Sequence, residues 1–229
     1  MSATWIKTTR RLLPRLARVS REIRPTAHLH SVADLSPDLL RKRGIETVLW
    51  DVDGTLMSLH AGGVDPEIAP AFDALTTAPG LDHAIVSNCE ADRFLELASI
   101  FPLIPIFLGY ETEEGPAYHV RHGLEERWIG PGAARARAEE RPHPLRKPSG
   151  RLVAAALEEL GAGERRDTVL LVGDQYFTDI ASANRAGVRS VKVSTVGRST
   201  FPLPVRISQR LEAAWYRLRY GRPEAGWST

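Results

Sequence analysis

Short apolar runs alternate with helical patterns from residue 45 onward, and this alternation constrains the fold more than any other feature of the sequence. It predicts an α/β fold in which a parallel sheet carries helices on both faces. Ligands of such sheets bind at the carboxyl ends of the strands. The predicted strands are Ile45–Trp50, His83–Val86, Leu103–Leu108, Thr168–Val172 and Ser190–Val193. The predicted helices are one that opens at Asp65-Pro66, Ala91–Ile100, one from Ser149 to a stop at Gly161, and Asp179–Ala186.

One long segment, from Gly109 to Pro144, interrupts the alternation. It is rich in charge and glycine, and a structureless loop of that length is improbable in a compact domain. We therefore predict a small insert or lid at about 109–144, within a domain that spans residues 27–197.

The two ends of the chain, residues 1–26 and 198–229, are basic. Their net charges are +6 and +4, and the remainder carries −8 of the overall +2. Each end has an apolar stripe at helical spacing among arginines: Leu12, Leu16, Val19 and Ile23 in the first, and Ile207, Leu211, Trp215 and Leu218 in the second. Such helices either pack on the domain with their arginines in water, or lie on an anionic membrane surface. The first 21 residues also suit an organelle transit sequence.

Composition narrows the class of protein further. The chain has 229 residues and a single cysteine, Cys89, which excludes an intrachain disulfide and favours a reducing compartment. Its longest uncharged apolar stretch, residues 97–110, contains two prolines and is shorter than the roughly 20 residues of a membrane span. We expect no secretory signal and a cytoplasmic location, peripheral on the inner face of the membrane, with the mitochondrial matrix as the alternative.

Charged and hydroxyl side chains follow the predicted strands at the points where these end. Asp51 and Asp53 follow the first strand, Ser87 the second, and Asp174 the fourth, while Lys147 precedes a helix. Clustered carboxylates suit Mg²⁺, which prefers hard oxygen ligands. A lysine and a hydroxyl suit a phosphoryl group, so the combination predicts phosphoryl transfer through positioning and charge neutralisation.

Four short motifs occur in the order "DVDGTL", "SN", "KP" and "GDQYFTD". They resemble motifs one to four of the haloacid dehalogenase superfamily of phosphatases, which implies a Rossmann-like sheet and an aspartyl-phosphate intermediate. A narrower resemblance spans residues 25–195. It is to the subfamily that contains the phosphatidylglycerophosphate phosphatases, from which the chain departs by Gly54 in place of asparagine and by its long 109–144 segment.

The resemblance implies a role for each motif residue. The nucleophile corresponds to Asp51, and the general acid/base corresponds to Asp53, whose backbone carbonyl is also a metal ligand. The Mg²⁺ ligands correspond to Asp51, Asp53 and Asp174, with Asp179 in support. Phosphate binding corresponds to Thr55, Ser87, Asn88 and Lys147.

Two further features have a structural interpretation. Cys89 lies beside the second motif, but it has no evident histidine partner, and we expect it only to pack. His119 and His122 have the spacing of a metal pair, yet without more ligands nearby a polar hairpin or lid face is favoured.

The sequence thus predicts a Mg²⁺-dependent phosphomonoesterase, with phosphatidylglycerophosphate as the leading substrate. An anionic membrane surface is the expected partner, and no nucleic acid partner is expected. One alternative is the same chemistry on a soluble sugar, nucleotide or polynucleotide phosphate. Another is a phosphate-binding or scaffold protein without catalytic activity.

Overall fold

The computed structural model describes residues 22–139 and 142–227. The N-terminal apolar stripe therefore lies outside the described residues, except for Ile23. The described strands are β1 (Ala27–His28), β2 (Thr47–Trp50), β3 (Asp82–Val86), β4 (Ile106–Thr112), β5 (Gly115–His122), β6 (Glu125–Ile129), β7 (His143–Leu145), β8 (Val169–Gly173), β9 (Arg189–Lys192) and β10 (Gly226–Trp227). The described α-helices are α1 (Pro37–Lys42), α2 (Ala69–Thr76), α3 (Ala91–Ile100), α4 (Ala133–Ala138), α5 (Gly150–Glu159), α6 (Ala181–Ala186) and α7 (Leu203–Tyr220).

The described strands form one mixed sheet whose centre is parallel. Its order is β10-β1-β9-β8-β2-β3-β4-β5-β6, and β7 pairs with β4. The strands from β1 through β9, β8, β2 and β3 to β4 run parallel to one another. Strand β2 lies at the switch point, because the chain continues to β3 on one side and returns through β8 on the other. Ligands of open α/β sheets bind at such a point.

Helices cover both faces of the sheet, as the alternation predicted. Val48 and Trp50 of β2 pack in a core with Phe72 of α2 and Leu97 of α3. Leu49, between them, points into the opposite core, which contains the apolar residues of α5 and α6. Because both faces are buried, the central strands are almost entirely apolar.

Helices α3 and α5 have the predicted limits, including a cap in which the Ser149 hydroxyl accepts from the backbone N–H of Arg151. Three predicted starts were wrong. Strand β4 begins at Ile106 rather than Leu103, because Pro102 and Pro105 cannot donate to a ladder. Asp65 caps a turn, and regular helix begins only at Ala69. The helix predicted to open at Asp179 instead follows a π-helical turn, Tyr176–Ile180.

The 109–144 segment extends the sheet. Strands β5 and β6 continue it as antiparallel neighbours of β4, and α4 packs against them before β7 returns to pair with β4. The described part of the segment is therefore an insert at the edge of the sheet rather than a lid. The limits predicted for the domain, 27–197, stay a prediction.

Helix α7 packs on the molecule through an unexpected face. Its buried residues are Gln209, Glu212 and Tyr216, and Tyr216 joins a small core with Ile23 and Ile180. The predicted apolar stripe of this helix is largely exposed. No described helix is both long enough and apolar enough to cross a membrane.

Candidate active site

The site begins in the loop that follows β2. Asp51 and Asp53 both lie beyond Trp50, the last residue of the strand. Asp51 is buried, and Asp53 is partly exposed. Gly54, between this pair and Thr55, has a φ of 94° and an added Cβ would lie 3.0 Å from Oδ2 of Asp174. Glycine alone suits this conformation and this approach, so the loop can bring its aspartates against the end of β8.

Three side chains donate hydrogen bonds to the carboxylate of Asp51. The hydroxyl of Thr55 donates to Oδ2 at 3.2 Å, the hydroxyl of Ser87 donates to Oδ1 at 3.2 Å, and Nζ of Lys147 donates to Oδ1 at 2.6 Å. Ser87 follows β3, which pairs directly with β2. The donors fix the orientation of the carboxylate, as a nucleophile requires. Thr55 is fully buried behind Asp51.

Lys147 is the buried cation of the site. Its Nζ bridges Asp51 and Asp179 at 2.6 Å each. Its backbone is held by Asn88, whose amide accepts from the N–H of Lys147 at 2.8 Å and donates to its carbonyl at 3.0 Å. Burial opposes the charge of Lys147, but the carboxylates of Asp179 and Asp51 outweigh it and raise the pKa of the lysine. The lysine therefore stays charged.

The end of β8 supplies the other carboxylates. Gly173 leaves room for Asp179, since an added Cβ would lie 2.4 Å from the Cγ of that aspartate. The π-helical turn points Asp179 back at the strand, where its Oδ2 accepts from the backbone N–H of Gln175 at 3.0 Å. Such turns frequently occur at functional sites.

A candidate metal centre lies among Asp51, Asp174 and Asp179. One carboxylate oxygen from each lies within 4.8 Å of the others. Oδ2 of Asp174 accepts from Thr195 at 2.7 Å and from Gln209 at 3.4 Å, whereas its buried Oδ1 has no donor among the described residues. A buried carboxylate oxygen without a donor is costly unless a cation lies beside it. The donor set and this oxygen fit Mg²⁺.

Burial raises the pKa of two of these carboxyls. The pKa of Asp51 rises to about 6, because desolvation outweighs the nearby charge of Lys147. The pKa of Asp174 rises to about 7, mainly through desolvation and also through the charge of Asp179. Protons and a divalent cation therefore compete for these carboxylates, and metal binding would displace the protons.

Asp53 lies in a different environment. Nη2 of Arg93 donates to its Oδ1 at 2.7 Å, Nε donates to its Oδ2 at 3.3 Å, and the backbone N–H of His60 donates to Oδ1 at 3.1 Å. Arg93 is itself buried and also pairs with Glu96 at 2.7 Å. The side chain of Asp53 is thus turned to Arg93, and its carboxylate is not part of the metal cluster. A role for its backbone carbonyl stays a prediction.

A cavity of about 420 Å³ opens over these groups. Its lining includes Asp51, Asp53, Ser87, Asn88, Lys147 and Asp179. Phe201, Pro202 and Val205, at the start of α7, form one wall. None of the described residues of the 109–144 segment lines it.

Sequence reasoning missed Arg93 and this wall. Arg93 did leave a signal, because it lies on the buried stripe of α3 with Phe94 and Leu97, where a charged residue needs a partner. The wall left none, since Phe201 follows Asp51 by 150 residues and belongs to no motif.

Cys89 has the surroundings that its structural interpretation predicts, whereas the polar face predicted for the histidines is wrong for His119, which is buried in β5. Burial raises the pKa of the Cys89 thiol to about 12, so it stays neutral. His119 is buried, stacks on Trp128 and has its pKa lowered by burial, whereas His122 is exposed. Neither histidine belongs to the carboxylate cluster found among the described residues.

Comparison with known proteins gives one family match and two curated relatives. A profile described as HAD-hydrolase-like matches residues 144–200, which contain Lys147, Asp174 and Asp179. The first relative, "Phosphatidylglycerophosphate phosphatase 1, chloroplastic/mitochondrial" of Arabidopsis thaliana, is 26% identical over 177 residues, which are 77% of this chain and 42% of that protein. The second, "Phosphatidylglycerophosphate phosphatase 1, chloroplastic" of Chlamydomonas reinhardtii, is 28% identical over 176 residues, 77% of this chain and 54% of that protein.

This chain therefore spans about half the length of these relatives. A solved structure, of an uncharacterized protein from Listeria monocytogenes serotype 4b, has a TM-score of 0.41 and 18% identity, and covers 64% of this chain and 76% of that one. At that score the likeness carries no argument. The profile and the relatives confirm the resemblance to the haloacid dehalogenase superfamily, and the mixed α/β sheet agrees with it.

Proposed function

We propose that this chain is a Mg²⁺-dependent phosphatase that hydrolyses a phosphate monoester through an aspartyl-phosphate. The observation that carries the proposal is the buried carboxylate of Asp51 at the cavity, oriented by Thr55, Ser87 and Lys147. A carboxylate oxygen of Asp174 lies within 4.8 Å of it, and Oδ1 of Asp174 has no donor in the part of the chain that the structure describes. A carboxylate so oriented is suited to nucleophilic attack.

The reaction has two steps. In the first, an oxygen of Asp51 forms a bond to phosphorus while the ester P–O bond breaks, and Asp53 gives a proton to the departing oxygen. In the second, Asp53 takes a proton from water as the water oxygen attacks phosphorus, which frees inorganic phosphate and restores Asp51. Both carboxyls line the same cavity, which supports this division of roles.

Other side chains hold the phosphoryl group. Lys147 supplies a positive charge, and Ser87 and Asn88 supply donors from the carboxyl end of the neighbouring strand β3. Asp51, Asp174 and Asp179 would hold Mg²⁺, which neutralises charge on the phosphoryl oxygens when it is bound. Thr55 acts on Asp51 in this arrangement, rather than on the substrate.

The leading substrate is phosphatidylglycerophosphate. The names of the two relatives support it, as does the likeness over 77% of this chain. An anionic membrane surface is then the partner, and the basic composition of residues 198–229 suits it. We infer peripheral attachment at the cytoplasmic face. The organellar words in the relatives' names keep the mitochondrial matrix as the alternative location.

A phosphate-release assay tests the proposal. The purified chain with Mg²⁺ is given phosphatidylglycerophosphate in mixed micelles, a sugar phosphate, a nucleotide, a 3′-phosphorylated oligonucleotide and a chromogenic aryl phosphate. The Asp51→Asn variant, prepared in parallel, reveals any contaminating phosphatase. We expect the highest kcat/KM on the lipid. Preference for a soluble ester would overturn the substrate, and no release from any compound would leave a phosphate-binding or scaffold protein.

A further inference from the structure

The apolar face of α7 consists of Leu203, Ile207, Leu211 and Leu218. These side chains are 63%, 47%, 64% and 81% exposed. Four large apolar side chains along one 18-residue helix are more than the isolated exposed leucine that ordinary surfaces carry. The face therefore needs an explanation.

The apolar face lies opposite the packed face. At 100° per residue, the centre of the apolar face lies roughly 170° around the helix from the centre of the packed face, which consists of Gln209, Glu212 and Tyr216. The packed face is held in place by polar contacts: Glu212 accepts from the backbone N–H of Phe177 at 3.2 Å, and Gln209 donates to Asp174. The helix is thus fixed with its apolar side outward.

Arginines border the apolar face on one side. The arginine flank consists of Arg206, Arg210 and Arg217, whose i, i+4, i+11 spacing places them along one side of the helix. Arg210 and Arg217 are exposed. In the ranges 22–139 and 142–227, none of the three forms a salt bridge. A cationic border beside an apolar stripe is the pattern of helices that lie in a lipid headgroup layer.

The same helix forms the wall of the catalytic cavity. Pro202 caps its first turn, and Phe201, Pro202 and Val205 line the cavity that contains Asp51. Leu203 and Ile207 are in the first two turns, at the same end of the helix as that wall, but at 100° per residue they lie on the side of the helix away from Val205. A surface that contacts the apolar face would therefore hold the outer side of the helix whose start forms the cavity wall.

We propose that the apolar face of α7 docks on a bilayer that contains anionic lipid, with its leucines among the acyl chains and the arginine flank at the phosphates. Docking holds the chain on the membrane that contains its lipid phosphate, through the helix whose start forms the wall of the catalytic cavity. The proposal deepens the proposed function, on which its biological sense rests, but the binding step can be measured without turnover.

Vesicle co-sedimentation of the full chain tests the apolar contribution. The variant Ile207→Ser/Leu211→Ser/Leu218→Ser should bind phosphatidylglycerol-containing vesicles at least about 30-fold more weakly, because each serine removes apolar area from the lipid contact. The matched control is Leu103→Ser/Leu124→Ser, which changes leucines that are 85% and 97% exposed in and beside the insert. The control should bind like the unaltered chain.

A double variant tests the contribution of the arginine flank. Arg210→Gln/Arg217→Gln should weaken binding to anionic vesicles by roughly 20-fold and leave binding to neutral vesicles nearly unchanged. Raising the salt concentration should have the same effect, because charges are screened over about 8–10 Å at physiological ionic strength. The single variant Leu218→Glu, at an 81% exposed position, covers the case in which the triple variant fails to fold.

Turnover separates docking from catalysis. The variants of α7 should hydrolyse a soluble aryl phosphate at the unaltered rate and lose activity only on vesicles, whereas the control Leu103→Ser/Leu124→Ser should keep its activity on both. Unchanged vesicle binding in the triple variant and in Leu218→Glu would overturn the proposal. So would a change of oligomeric state without a change of vesicle binding, which would make the face an interface between two copies. Binding that appears only after deletion of residues 2–21 would show that this segment covers the face, and would also overturn it. If the unaltered chain hydrolyses no soluble ester and no lipid phosphate, that result would instead contradict the proposed function.

Discussion

Asp51 and Asp53 are separated by one residue, yet their surroundings differ in almost every respect. Asp51 is buried, and it shares the charged side chain of Lys147 with Asp179. Desolvation raises the pKa of Asp51 to about 6. Asp53 is partly exposed and is paired with Arg93, a residue that does not touch the metal cluster. The carboxylate of Asp51 accepts hydrogen bonds from three side chains. The carboxylate of Asp53 accepts from one side chain, Arg93, and from the backbone N–H of His60.

This difference agrees with the different roles that we propose for these two identical side chains. A nucleophile has to stay in place, which suits the three donors around Asp51. An acid/base has to exchange protons with the leaving oxygen and with water, which suits a position beside solvent. Substitutions at the two aspartates and at their partners test this division.

Asp51→Asn should lower kcat by at least about 10³-fold, because the amide cannot form the aspartyl-phosphate. The thermal unfolding midpoint should hardly change, since Lys147 keeps its contact with Asp179. Beryllofluoride with Mg²⁺, which mimics the aspartyl-phosphate, should raise the thermal unfolding midpoint of the unaltered chain but not that of the variant. A variant that retains most of the rate would show that Asp51 is not the nucleophile.

Asp53→Asn should lower kcat by about 10²- to 10⁴-fold on an alkyl phosphate, the usual range for loss of a general acid or base. On an aryl phosphate with a good leaving group the first step should need less protonation, so burst measurements should show a smaller loss. The comparison of the two esters is the measurement. Equal losses on both would contradict the acid role and leave Asp53 with a structural one.

Mg²⁺ affinity should rise with pH between about 5 and 8. Asp51 and Asp174 have pKa values of about 6 and 7 without metal, so protons compete with the cation below that range. Affinity should change by about tenfold per pH unit for each proton displaced, which titration calorimetry can follow. Ca²⁺ should support turnover poorly, because its coordination is looser.

The raised pKa values of Asp51 and Asp174 also affect how the stability of the metal-free chain depends on pH. Both pKa values in the folded chain lie above that of an ordinary aspartate, so the folded state binds more protons than the unfolded state between about pH 4 and 7. In chelator, the contribution of these two carboxyls to the unfolding midpoint should therefore fall as the pH rises through this window. Below about pH 6.5 the buried histidines His28, His83 and His119 contribute in the opposite direction, because burial lowers their pKa values. Mg²⁺ should reverse the fall above pH 7. A midpoint indifferent to Mg²⁺ at pH 8 would argue against the metal centre.

Arg93→Gln should have the smallest effect, a loss of about tenfold in kcat, because it frees the Asp53 carboxylate without removing it. The loss should be greater for poor leaving groups, which need the acid most. Glu96→Gln is the matched control, since Glu96 is the more exposed partner of Arg93. An equal loss in the control would show that the network acts through stability rather than through Asp53.

Much of this arrangement was predictable because it depends on strand ends. The alternation of apolar runs and helices predicted a parallel sheet, whose strands end at one edge, so Asp51, Ser87 and Asp174 were expected along that edge. The order that makes their strands neighbours comes from the structure. Limits at prolines and turns were less predictable, as the late start of β4 shows. The packed face of α7 was not predictable at all. Periodicity identified its apolar stripe, but only tertiary contacts to Asp174 and Phe177 determine that the polar stripe packs.

The position of α7 has a consequence for the modularity of this chain. A fragment that ends at residue 197 would keep all four motifs and each carboxylate of the cluster. It would lose the cavity wall of Phe201, Pro202 and Val205, and the contact from Gln209 to Asp174. The smallest unit that recombination or truncation could transfer with its active site intact is therefore larger than the set of motifs. It has to include the residues of α7 that line the cavity and contact Asp174.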